Sequence, residues 1–170
     1  MKKFLLLIFI SISLFTVESC SKKSNNSCSY PVSNVVAPAA EQQALQDSLN
    51  KLGIQATMAP SGFFYNITKP GSGASATSLC STVAVFYRAG FLNGTGFDST
   101  QNGQPAIFQL GQVIAAWQKA LPLIQKSGEM TLYVPPSLAY GATDRKDSTG
   151  KVVIPANSNL VFQVVLADVQ

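Results

Sequence analysis

Histidine is absent from this 170-residue chain. That removes the general base of Ser–His and Cys–His nucleophilic catalysis and the commonest metal ligand. Charge is scarce as well. Charged residues make up 12% of the chain, with eight acids against twelve lysines and arginines and a net charge of +4. The acids are scattered, which argues against a metal site built from carboxylates. The basic residues are dispersed, without a stripe and without interleaved aromatics, so the pattern points away from nucleic acid. Tryptophan occurs once, at Trp117. What remains is apolar: 46% of residues are hydrophobic, which argues for a packed domain rather than a disordered chain. The length suits one domain with appendages. No metal and no cofactor is expected.

The N-terminus reads as an address. Lys2 and Lys3 precede Phe4–Phe15, a run of apolar residues and serine too short to span a bilayer comfortably. Val17-Glu18-Ser19-Cys20 resembles the bacterial lipobox, in which the chain is cut before a cysteine that is then acylated, although Glu18 is unusual there. An ordinary signal peptide and an uncleaved anchor are the alternatives. The lipobox implies residues 1–19 as a signal peptide, Cys20 as the lipidation site, and an exported protein anchored to a bacterial membrane and facing the periplasm. Stable anchoring needs more than one acyl chain, as that processing supplies.

Residues 20–37 are expected to form a flexible tether, most clearly in the Ser/Asn-rich stretch Ser21–Ser29. Residues 38–60 form a helical extension. Its helix spans Ala39–Leu52, with Pro38 at the start and Gly53 just past the end. Glu41 and Lys51 suit the helix dipole, and Leu45, Leu49 and Leu52 make one apolar stripe. That stripe requires a surface to lie on: either the chain's own domain, the preferred reading, or a second copy. Cys28 and Cys80 remain once Cys20 is set aside. A bridge between them is open, because sequence does not show how closely they approach.

From residue 61 onward the pattern is strand-like. Phe63–Lys69 is the first strand, ended by Pro70-Gly71-Ser72-Gly73. Two-residue alternation groups Val83, Val85 and Tyr87; Ala106, Phe108 and Leu110; Met130, Leu132 and Val134; and Leu160, Phe162, Val164 and Leu166. One short segment, Val113–Leu121, has helical spacing at Ile114, Trp117 and Leu121 and is curtailed by Pro122. These patterns predict an α+β fold: a twisted antiparallel half-barrel wrapped around one short α-helix, over residues 61–170.

Five fragments in order carry a resemblance: VAVFYRAG (Val83–Gly90), NGTGFDST (Asn93–Thr100), FQLGQVIAAW (Phe108–Trp117), LYVPPSLAYGA (Leu132–Ala142) and VIPANSNLVFQVVL (Val153–Leu166). Together they resemble the FKBP family of peptidyl-prolyl cis–trans isomerases. The resemblance implies the same architecture and a proline-binding pocket. In it Trp117 is the floor, and Phe97 and Phe162 are walls. Val113 and Ile114 stand at the helix entrance, the Ile114 N–H offered to a ligand carbonyl, and Ile154 completes the lining. Asp98, Tyr140 and Tyr87 are the catalytic candidates: Tyr140 presents its hydroxyl to the substrate carbonyl, and Tyr87 orients Asp98. The implied partners are proline-containing polypeptides and FK506-type macrolides.

Several positions depart from the family's pattern. Ala106 stands where an aromatic wall is usual, so a wider pocket is expected. Ala89 and Ala116 replace common glycines, so the backbone there must be ordinary. Gln101-Asn102-Gly103 offers no arginine to Asp98. The loop Gly141–Val153 is long and charged and should flank the pocket. Two other functions stay open: a prolyl-peptide chaperone without turnover, and a lipoprotein scaffold that keeps the fold for interaction only. The joint presence of Asp98, Tyr140 and Trp117 argues against both.

Overall fold

The computed structural model describes residues 28–170. Residues 1–27, which carry the signal sequence and Cys20, lie outside the described residues. The elements run α1 (Ala39–Lys51), β1 (Thr57–Met58), β2 (Phe64–Lys69), β3 (Thr82–Phe91), β4 (Gly96–Ser99), β5 (Ala106–Gln109), α2 (Ala115–Ala120), β6 (Glu129–Val134), β7 (Arg145–Lys146), β8 (Val152–Ile154) and β9 (Leu160–Val169). Seven strands form one sheet in the order β1-β2-β6-β9-β3-β4, with β5 also paired to β3. Every pairing in it is antiparallel.

The alternation expected from sequence is the burial pattern observed. Val83 and Val85 in β3, Met130, Leu132 and Val134 in β6, and Leu160, Phe162, Val164 and Leu166 in β9 all point into one core. The short helix α2 lies on that face and buries Ala116, Trp117 and Ala120. Pro122 sits in a 3-10 turn, Leu121–Leu123, that follows the helix directly. A proline early in a turn forfeits no needed N–H, but it prevents the α-helix from continuing.

The helix α1 covers the opposite side of the sheet. Leu45 and Leu49 are fully buried against Phe64 and Tyr133. Thus the apolar stripe is spent on the chain's own domain, while Leu52, the C-cap, stays exposed. Gly53, at φ +68°, turns the chain out of the helix in the left-handed region that favours glycine. Glu41 accepts a hydrogen bond from the Ser137 backbone N–H at 3.0 Å, which ties the helix's first turn to the loop after β6. The extension also supplies β1, so the expected boundary at residue 60 falls inside a β1–β2 hairpin.

The flexible tether expected over residues 20–37 requires correction at its C-terminal end. From Cys28 the chain lies along the domain as a strap. Cys28 is disulfide-bonded to Cys80, with a Cα–Cα distance of 5.8 Å. Lys119 Nζ donates to the Ser33 carbonyl at 2.6 Å, and the Ala37 N–H donates to the Ser61 carbonyl at 2.9 Å. Alternating small and apolar residues give no periodic signal for such a strap, so its docking is a purely tertiary property.

Candidate active site

Strand register assembles the site. Ala89 of β3 lies opposite Phe162 of β9 on one side and Asp98 of β4 on the other. Directly paired residues project to the same face, so Phe162, Ala89 and Asp98 form one row facing α2. Tyr87, two residues before Ala89, projects the same way. It sits where the outer edge of β3 changes partner, between the β5 pairing that ends at Val85 and the β4 pairing that begins at Arg88. Thr100 closes this gap: its N–H donates to the Tyr87 carbonyl at 3.1 Å and its hydroxyl accepts from the Tyr87 N–H at 3.3 Å.

The result is a cavity of about 270 Å³ lined by Tyr87, Phe97, Asp98, Phe108, Gln112, Val113, Ile114, Trp117, Tyr140 and Phe162. Trp117 is only 4% exposed. Three rings meet it edge-on: Tyr87 at 5.5 Å, Phe162 at 5.6 Å and Phe108 at 5.9 Å between centroids. Phe97 in turn meets Phe162 at 6.4 Å. Perpendicular packing is favoured by the ring quadrupoles, and here three such contacts brace the indole. The Tyr87 hydroxyl donates to Asp98 Oδ2 at 2.6 Å. No salt bridge to Asp98 occurs among the described residues, so this phenol is its partner in place of an arginine.

Both tyrosine hydroxyls are held protonated. Burial, and then the Asp98 carboxylate, push the Tyr87 phenol well above its ordinary range. Tyr140 is raised for the same two reasons, with the Arg145 guanidinium pulling the other way. That guanidinium stands 5.2 Å from the centre of the Tyr140 ring. It belongs to the long loop 141–153, which carries the small hairpin β7–β8. In its turn Asp147 accepts hydrogen bonds from the Thr149 hydroxyl at 2.6 Å and N–H at 2.8 Å, which lower its pKa.

Ile114 is the N-cap of α2, and its carbonyl accepts the Trp117 and Gln118 N–H groups. Its own N–H has no hydrogen-bond partner among the described residues. The cavity therefore offers an apolar floor and walls, a phenol donor, a carboxylate and an unpaired amide. No cluster of three or more His, Cys, Asp or Glu that could hold a metal occurs among the described residues.

Of the candidate residues, Tyr87, Phe97, Asp98, Val113, Ile114, Trp117, Tyr140 and Phe162 come together here. Ile154 does not line the cavity; it is buried in the apolar core, on β8 opposite Arg145. The expected opening at Ala106 is also corrected. Phe108, two residues on and on the same face, supplies the wall against Trp117 and Tyr87. Ala89 and Ala116 have ordinary backbone, as expected, because neither adopts positive φ. Gln112 and Phe108 were missed as lining residues; Phe108 carried a signal in the alternation, Gln112 none. A larger hollow of about 480 Å³ lies on the sheet's outer face, among Arg88, Glu129, Thr131 and Gln163.

Residues 73–167 match the family described as FKBP-type peptidyl-prolyl cis-trans isomerase. Among curated relatives, "FKBP-type peptidyl-prolyl cis-trans isomerase FkpA" of Buchnera aphidicola subsp. Schizaphis graminum is 37% identical over 111 residues, covering 65% of this chain and 42% of that protein. "Outer membrane protein MIP" of Legionella longbeachae is 38% identical over 124 residues, covering 72% and 51% respectively. The crystal structure of FkpA from Escherichia coli superposes with a TM-score of 0.64 at 34% identity, over 78% of this chain and 61% of that one. The chain thus spans about half the length of the curated relatives it matches. An antiparallel sheet closed on a short helix is the architecture this chain shares with those proteins. The chain belongs to the FKBP-type peptidyl-prolyl cis-trans isomerase family.

Proposed function

We propose that this protein catalyses cis–trans isomerisation of X–Pro bonds in polypeptides outside the cytoplasm. The observation that carries the reading is the indole floor of Trp117, braced by three perpendicular rings beside the Tyr87–Asp98 hydrogen bond. Amide resonance sets a rotation barrier of about 18–20 kcal/mol. No covalent bond breaks, so neither nucleophile nor metal is required. Catalysis needs only tighter binding of the twisted amide than of either planar form. A twisted amide has lost resonance and charge separation, so an apolar aromatic pocket disfavours it less than it disfavours the planar amide. The Ile114 N–H holds a substrate carbonyl, and the protonated Tyr140 hydroxyl donates to the carbonyl that rotates. Asp98 is fixed by Tyr87 and acts on the rotating bond. FK506-type macrolides are proposed to occupy the same floor.

The test is a protease-free isomerisation assay on a tetrapeptide with leucine before proline. The wild type should exceed the buffer rate, and Trp117→Ala should lose most of the gain. Peptide binding without acceleration would replace the enzyme with a prolyl-peptide chaperone.

The cell envelope is the proposed location, and assistance to exported proteins the proposed role. Val17-Glu18-Ser19-Cys20 and the Cys28–Cys80 bond support it, since such bonds persist in oxidising compartments. With Cys20 acylated and Cys28 fixed to the domain, the intervening chain would keep the domain within about 30 Å of the bilayer. Mass spectrometry of the mature N-terminus tests this; an unmodified Cys20 would reject it.

A further inference from the structure

The segment that carries Gln112, Val113 and Ile114 to the cavity is gripped by a residue outside the family's domain, whose match begins at residue 73. The Tyr30 hydroxyl donates to Gln109 Oε1 at 2.7 Å and accepts from Gln112 Nε2 at 2.9 Å. Its ring lies against Gly111 so closely that any side chain there would run into it. One phenol therefore engages three of four consecutive residues, and its donor and acceptor roles are both used. The same turn is held from behind. The Leu110 and Gly111 N–H groups donate to the Ser81 and Leu79 carbonyls at 2.9 and 2.7 Å, and Gln118 Nε2 donates to the Val113 carbonyl at 2.8 Å. Cys28, two residues before Tyr30, is bonded to Cys80, which lies between Leu79 and Ser81. Tyr30 does not line the cavity, whereas Gln112, Val113 and Ile114 do.

We propose that Tyr30 is a positioning residue for the substrate pocket. Acting through Gln112 and Gly111, it fixes the turn that presents the Gln112 side chain and the Ile114 N–H to a proline-containing peptide. The proposal rests on the isomerase reading above. A turn containing glycine samples more conformations when it is not held, and ordering it on binding then costs affinity. A rigid supporting contact removes that cost before the ligand arrives. The strap is thus part of the site and not only a connection to what precedes it.

Tyr30→Phe tests this with little disturbance, because it keeps the ring on Gly111 and the Cys28–Cys80 bond while deleting both hydrogen bonds. With the leucyl-prolyl tetrapeptide, the expected result is a roughly three- to tenfold rise in KM, from the loss of hydrogen bonds that fix the turn, with kcat little changed. Quenching of Trp117 fluorescence by the same peptide should give the same loss of affinity. Gln112→Ala should weaken binding too. The losses in the double variant should be less than additive, because the ring contact with Gly111 is kept and one of the two deleted hydrogen bonds is the one to Gln112. Wild-type affinity in Tyr30→Phe, a lowered melting temperature without an affinity change, or fully additive losses would each overturn the proposal. The fluorescence titration keeps the two readings separate. If the wild type binds peptide but does not accelerate isomerisation, the enzyme reading fails, and the binding series still decides the role of Tyr30.

Discussion

Phe108 takes the part expected of an aromatic two residues earlier. Ala106 and Phe108 share a face of β5, so alternation alone does not say which of them lies under the α2 indole. Register decides: Phe108 pairs with Val83, and its ring then reaches Trp117. Ala106→Phe should therefore leave affinity for an FK506-type ligand within about twofold, whereas Phe108→Ala should weaken it roughly tenfold, given about 1.5–3 kcal/mol for a fully buried aromatic and partial burial here. Titration by Trp117 fluorescence compares them, and a tighter Ala106→Phe variant would restore the open-wall picture. The Tyr87 phenol makes a second prediction. Its pKa is raised by burial and by Asp98, so the folded protein keeps a proton that the unfolded chain releases near about pH 10. This contribution to stability is therefore complete below about pH 10 and is lost as the pH climbs through the folded value. Urea midpoints measured between about pH 8 and 11 should fall at the alkaline end, and less steeply in Tyr87→Phe. Peptide turnover should stay level from about pH 6 to 9, since neither pocket tyrosine titrates there. A phenolate absorbance change from Tyr87 below about pH 9 would contradict both expectations.

Among the elements, the long strands and both helices were legible because each buries one regular face. Leu160, Phe162, Val164 and Leu166 declare β9, and Leu45 with Leu49 declare the inner face of α1. The sequence left β1, β7 and β8 unmarked: they span only two or three residues and are largely exposed, so neither alternation nor burial distinguishes them from loop. The split edge of β3, which places Tyr87 beside Asp98, was equally invisible, because it depends on where β4 and β5 each begin to pair. The catalytic candidates were read instead through a resemblance between fragments, which carries register implicitly. It placed Ile154 in the lining, whereas that side chain is buried in the apolar core on β8. The packing of α1 makes an element-scale prediction. Leu49→Ala removes a fully buried side chain that faces Phe64 and Tyr133, on the sheet side opposite Trp117. It should destabilise the protein by about 3 kcal/mol, within the usual range for such truncations, and leave the isomerisation rate of the folded protein unchanged. A loss below about 1 kcal/mol in denaturant unfolding would mean that α1 is only loosely applied to the sheet.

At the scale of the whole molecule, the disulfide joins the strap to a domain that it otherwise meets through a few hydrogen bonds, the Tyr30 ring on Gly111 and the buried Ala37. Cys28 begins the described strap, Cys80 precedes β3, and the loop they close has a sequence separation of 52. That loop contains the strap, α1, β1 and β2, so the bond closes the extension onto the start of the family's domain. Crosslinking a loop of this length should remove unfolded-state entropy worth about 4 kcal/mol. The core of β3, β6 and β9 with α2 should not depend on the bond, because Ala37 is the strap's one contribution to the buried core among the described residues. The expected outcome of Cys28→Ser with Cys80→Ser, or of adding a reductant, is therefore a folded domain with a lower midpoint in urea and with peptide binding at Trp117 weakened but not abolished, as Tyr30 loses its anchor. The strap should be what loosens, and hydrogen exchange should report it first, at the Ala37 N–H and at the Gly111 N–H beneath Tyr30. Equal midpoints with and without reductant would mean that the bond forms without constraining the unfolded chain. Global unfolding on reduction would mean that α1 and the strap are indispensable to the core rather than fastened onto it.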